Sequence, residues 1–151
     1  MDRDIYWLAR HEGWHAAIAR GVAAGDAQCI EVAAKLFDLY LPDGAVVVPM
    51  PSHGGYAEQM LQVAEHMKSR LVWNILKAKP HESSRSQKMD GHSPLHIEMW
   101  MDRVLEGWYP QGTDIYIIDN TVVTGATASS ALEAFRKEGW SNVKVVSITK
   151  K

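Results

Sequence analysis

The run Ala45-Val46-Val47-Val48-Pro49-Met50 has no polar residue at alternate positions. A strand with one wet face alternates apolar and polar; one without alternation is buried on both faces, as in a parallel sheet covered by helices. Ile115-Tyr116-Ile117-Ile118 repeats the pattern and closes on an acidic residue, giving a strand over 114–119. Between these two runs the sequence predicts a helix over 56–69 and a strand over 71–76; after them come a helix over 126–138 and a strand over 144–149. Residues 96–105 fit strand or helix equally. Strands alternating with helices imply an α/β domain with a central, mainly parallel sheet flanked by helices.

Residues 1–43 read as helical, with one segment over 6–24 and another over 27–40. The break falls at Gly25-Asp26, where Asp26 can cap the second helix. In that helix Ile30, Ala33, Ala34, Phe37 and Leu41 recur at helical spacing and form one buried face, and Pro42-Asp43-Gly44 stops it. The 151 residues suit a single domain, with a helical part over 1–43 and an α/β core over 44–151. A net charge of −2, with no run of Lys or Arg, speaks against nucleic acid and membrane surfaces as partners, since both select clustered positive charge. No apolar stretch approaches transmembrane length, and the start Met1-Asp2-Arg3-Asp4 is too polar for a secretory signal. A lone Cys29 allows no internal disulfide and fits the reducing cytoplasm.

The chemistry concentrates in 115–127. An apolar strand ends in Asp119 and Asn120, crosses Thr121-Val122-Val123-Thr124-Gly125, and enters a helix at Ala126-Thr127. Unpaired N–H groups at a helix start, with the positive dipole end behind them, form an anion cradle. Gly125 lets the main chain approach a phosphate, and Thr124 and Thr127 offer hydroxyls. Asp119 and Asn120, at the carboxyl end of the strand, are placed to take the hydroxyls of a sugar bearing that phosphate. Ser52, His53 and Gly54, after the first apolar run, form a second turn able to present backbone N–H groups to an anion. The polar stretch 79–94 is the one long loop, and in it Arg85 and Lys88 are the cations able to close over a leaving group.

Asp119-Asn120-Thr121-Val122-Val123-Thr124-Gly125-Ala126-Thr127 resembles the phosphoribosyl pyrophosphate (PRPP) motif of type I phosphoribosyltransferases. That motif has two acidic residues, two mostly apolar residues and Thr-Thr-Gly-x-Thr after an apolar strand. Val46 to Gly55 is similar to the family's first strand and pyrophosphate loop, and 79–94 sits where the family keeps its mobile lid. Pro49-x-Pro51 and Ser86-Gln87 lean toward the ComF-type branch. The resemblance covers about 44–150. It implies transfer of phosphoribose from PRPP to a nitrogen nucleophile, a nucleobase or an amine, with release of pyrophosphate. Asp119 and Asn120 would be the catalytic pair. Residues Val123, Thr124, Gly125, Ala126 and Thr127 would hold the phosphate, and Ser52, His53 and Gly54 the pyrophosphate. Arg85 and Lys88 would belong to the lid. Mg2+ would enter bound to PRPP rather than through a dedicated metal site, and the likeness leaves room for a homodimer. The chain ends at the last strand, so helices over 6–40 are the expected hood over the base.

Three positions depart from the motif: Asn120 replaces the second acid, Thr121 follows it, and Val123 replaces the first Thr. The ComF-type Arg-Gly-Phe-Asn stretch is also replaced, by Tyr56-Ala57-Glu58-Gln59. They motivate a second reading, a non-catalytic PRPP- or nucleotide-binding regulatory module. A third rests on His11-Glu12-Gly13-Trp14-His15, which matches the zinc-hydrolase pattern His-Glu-x-x-His. On a helix its two His would share a face and Glu12 would act as base. Against it, seven His make a chance match easy, Gly13 weakens the helix, and spacing reveals no third ligand.

Overall fold

The computed structural model describes residues 1–55, 57–68, 70–80, 97–103, 105 and 107–151. Five parallel strands form the central sheet in the order β1-β7-β6-β2-β3. They are β1 (Ile5–Arg10), β2 (Val46–Pro49), β3 (Leu71–Val72), β6 (Ile115–Val122) and β7 (Val143–Lys150). β4 (Leu76–Ala78) and β5 (Met99–Met101) form a separate antiparallel ribbon. The helices are α1 (Gly13–Ala23), α2 (Ala27–Tyr40), α3 (Gln59–His66) and α4 (Ala126–Lys137).

The unbroken apolar runs do what their pattern requires. Val46 and Val48 of β2, Ile115 and Ile117 of β6 and Val143 and Val145 of β7 pack with α4 and the ribbon. Val47, Ile118, Val146 and Ile148, which point the other way, pack with α1, α2 and α3. Period-two alternation thus sends each strand's side chains into two cores, one per face. On the α4 side Trp73 is buried against Tyr109, Phe135 and Trp140, with ring centroids 5.1, 6.3 and 5.4 Å away. α2 has its expected bounds, and Asp26 caps it by accepting the Cys29 N–H at 2.9 Å.

The helix expected over 6–24 is corrected. Residues 5–10 form β1, which pairs with β7 from Ile5↔Val145 to Arg10↔Lys150, and α1 starts only at Gly13. Ile5-Tyr6-Trp7-Leu8 is rich in β-branched and aromatic residues, and pairing with a long neighbouring strand overrides its local ambiguity. The strand expected over 71–76 divides. β3 ends at Val72, Trp73 turns into the aromatic cluster, and β4 leaves the sheet to pair with β5. That pairing also settles Met99–Met101 as strand. The third helix is shorter than expected, Gln59–His66. Among the described residues no helix is long and apolar enough to cross a membrane.

The topology makes a crevice. From the carboxyl end of β2 the chain passes through α3 on one face to β3; from that of β6 it passes through α4 on the other face to β7. Two neighbouring strands whose connections leave in opposite directions open a gap between their loops, where ligands of open α/β sheets bind.

Candidate active site

Asp119 and Asn120 stand near the carboxyl end of β6, and the sheet ladder continues around them. Met50 N–H donates to the Ile118 carbonyl at 2.9 Å, Lys151 N–H to that of Val122 at 3.0 Å, and His11 N–H to that of Lys150 at 2.9 Å. The tips of β1, β2, β6 and β7 are therefore held at one edge. A cleft of about 360 Å³ opens there, lined by Asp119 and Asn120 of β6, Val123 and Gly125 of the β6–α4 loop and Thr127 of α4. Ser52 and His53 line it from the β2 loop, Glu58 and Gln59 from the start of α3, and Arg20 from α1. The structure thus brings most of the two expected anion loops into one cavity.

Gly125 caps α4 in the left-handed region, φ 86°, which an L side chain enters only with strain. As the N-cap residue it has no side chain to offer the helix amides. Thr124 Oγ1 accepts the Ala126 N–H at 3.2 Å, so Thr124 shapes the turn and, like Ala126, does not line the cleft. At the other loop Ser52 accepts twice: its Oγ from Gly54 N–H at 3.2 Å, its carbonyl from Gly55 N–H at 2.9 Å. Those two amides of the expected pyrophosphate turn face Ser52, and Gly54 is not among the lining residues. Gly55, at φ 100°, is tied to the ribbon by the Ala78 N–H, which donates to its carbonyl at 2.9 Å.

Burial pushes the Asp119 carboxyl up to about 6, against the opposing pull of the Asn120 N–H, which donates to Asp119 Oδ1 at 2.7 Å. Asn120 Oδ1 is buried and has no hydrogen-bond partner among the described residues. An acceptor left in that condition costs free energy unless a donor arrives.

His11 lies between β1 and α1 rather than on a helix, so His11 and His15 do not share a helical face as the zinc pattern requires. His15 stacks on Trp14, with ring centroids 3.7 Å apart. The His11 ring contacts Thr149 Oγ1 through Nδ1 at 2.9 Å, and Thr149 Oγ1 meets Thr121 Oγ1 at 3.0 Å. Among the described residues no group of three or more His, Cys, Asp or Glu is arranged to hold a metal ion. Arg85 and Lys88 lie outside the described residues. α1, which falls within the hood expected over 6–40, lines the cleft with Ala19, Arg20, Val22 and Ala23; no signal in the sequence picks out Arg20.

The sheet order can be compared with solved structures. The allosteric regulatory enzyme of purine biosynthesis superposes with a TM-score of 0.51 at 15% identity, covering 78% of this chain and 24% of that one. The fold is shared. This chain therefore spans about a quarter of that enzyme's length. A purine phosphoribosyltransferase from Pyrococcus horikoshii Ot3 gives a TM-score of 0.47 at 15% identity, covering 98% of this chain and 88% of the other. The adenine phosphoribosyl transfer enzyme of Trypanosoma brucei, solved with AMP, pyrophosphate and ribose-5-phosphate, gives 0.48 at 11%, covering 99% and 85%. Likenesses at that level carry no weight for function. No family model matches the chain, and no curated protein does.

Proposed function

We propose that this chain is a phosphoribosyltransferase, moving phosphoribose from PRPP to the nitrogen of a nucleobase or amine and releasing pyrophosphate. The observation that carries the reading is the Asn120 Oδ1 acceptor, buried without a partner beside the Asp119 carboxyl at the edge of a glycine-started helix. A sugar hydroxyl supplies the donor that Asn120 lacks and a second one for Asp119. The 5′-phosphate of the same sugar then falls at the start of α4, where Gly125 carries no side chain. Ser52 and His53, across the cleft, flank the pyrophosphate.

In the reaction the bond from the sugar's anomeric carbon to pyrophosphate breaks, and its electron pair leaves with pyrophosphate. The acceptor nitrogen forms the new bond and gives up its proton to the departing pyrophosphate or to water. Positive charge develops on the ring, and ionised Asp119 offsets it. Magnesium, when bound with PRPP, supplies neutralisation of the pyrophosphate charge; the oxygen donors of Asp119 and Asn120 suit so hard a cation.

Thermal stability measured with millimolar PRPP and magnesium should rise, and pyrophosphate should be released on adding the right base or amine. Absence of any shift sinks the reading. A shift without release across a broad acceptor panel favours a binding module instead, a reading supported by Asn120 in place of a carboxylate.

A further inference from the structure

The α1 wall of the cleft is built from Ala19, Arg20, Val22 and Ala23, with Met60 of α3 near them on the lining. Four of these five side chains are small or apolar and suit the face of a flat ring. Arg20 is different. It is exposed, its carbonyl accepts the Ala24 N–H at 3.0 Å, and among the described residues its guanidinium makes no hydrogen bond or ion pair. Two other arginines are committed: Arg136 to Asp2 and Asp4 at 2.7 and 2.6 Å, Arg70 to Asp43 at 3.2 Å. An unpaired surface arginine is unremarkable by itself. Here it stands on a cavity wall contributed by a different element from the two anion loops, beside an apolar floor. The other charged or titratable groups on the lining are His11, His53, Glu58, Asp119 and Lys151. The two acids lie on the β6 and α3 sides, leaving Arg20 as the cation of the α1 wall.

We infer that the acceptor is a ring compound bearing a carboxylate, which Arg20 reads as a planar, two-pronged partner while Ala19, Ala23 and Met60 receive the ring. A guanidinium matches a carboxylate in shape as well as charge, and the pair strengthens as the ring displaces water. This rests on the phosphoribosyltransferase reading, and it adds the chemical class of the acceptor.

The test uses the full chain with PRPP and magnesium, and matched acceptors with and without the acid: orotate against uracil, nicotinate against nicotinamide. Affinity is read by calorimetry and turnover by pyrophosphate release. At least one acid should exceed its neutral partner roughly tenfold or more, the scale of a charge-assisted pair. Arg20→Gln should erase that preference, and Arg20→Lys should restore part of it. The thermal response to PRPP, followed in each variant, reports whether the cleft is intact. If acids show no advantage, or keep it in Arg20→Gln, the inference fails while a parent response to PRPP leaves the proposed function standing. If Arg20→Gln loses the PRPP response itself although folded, Arg20 serves the pyrophosphate and the inference is overturned. A parent protein that does not respond to PRPP removes the function and the inference together.

Discussion

Asp119 carries a cost that its position explains. Its carboxyl, raised from 3.8 to about 6, is harder to ionise in the fold than in the unfolded chain. Between those two values the folded protein holds the extra proton, so stability falls as pH rises from about 4 to 6 and stays reduced above. Asp119→Asn should therefore raise the melting temperature at pH 7.5, by about 1–3 kcal/mol in stability terms, and the gain should vanish near pH 4. Thermal melts of both proteins across that range check the sign. The same variant should lose about 10- to 1000-fold in turnover, as for one positioned electrostatic group. Asn120→Asp should keep or raise turnover, because it adds charge where the sugar turns cationic; a fall would show that the amide is required. The apolar strand was legible in the sequence, but its end was not: the expected stop at Asp119 gives way to a strand that stays paired with β7 through Val122. The state of the groups was not legible either: burial of Asp119 and the lone acceptor on Asn120 come from neighbours distant in the chain.

At the scale of elements, the loop from β6 to α4 depends on one backbone conformation. Gly125→Val places a β-branched side chain at φ 86°, at about 1–3 kcal/mol of strain, and brings its Cβ to 3.4 Å from Met1 Cε, crowding the helix start. The variant should fold with a lowered melting temperature and lose its response to PRPP; normal binding would move the anion site elsewhere. Phe135 of α4, buried against Trp73 and Trp140, should cost about 3–5 kcal/mol when cut to Ala, read by urea titration. The doubly buried strands were legible from their lack of alternation, and α2 from its cap and spacing. β1 was not. Ile5-Tyr6-Trp7-Leu8-Ala9 flanks a helical stretch closely enough to extend its apolar spacing, and only β7 makes it a strand. β4 was hidden in the same way, because a two-residue β3 and the burial of Trp73 decide where the sheet ends.

For the molecule as a whole, the site is a property of chain order. Strand tips from far-apart segments meet at one edge, and the opposite departures after β2 and β6 open the gap between them. Period and turn chemistry announced an α/β sheet, yet no local signal gave the sequence of strands across it, so the place of Arg20 on the cleft wall stayed invisible. That order also sets a schedule. β1 lies at the sheet's outer edge and its neighbour in the sheet is β7, so Ile5 waits for Val145. While a ribosome works through the intervening residues, Tyr6, Trp7 and Leu8 have no strand to join, and an unpaired aromatic edge is a template for other chains. A nascent chain stalled before residue 143 should accordingly expose Arg10 to trypsin and bind a holdase chaperone, and both should stop once β7 emerges. The corner of the cleft that holds His11 is the last to be built.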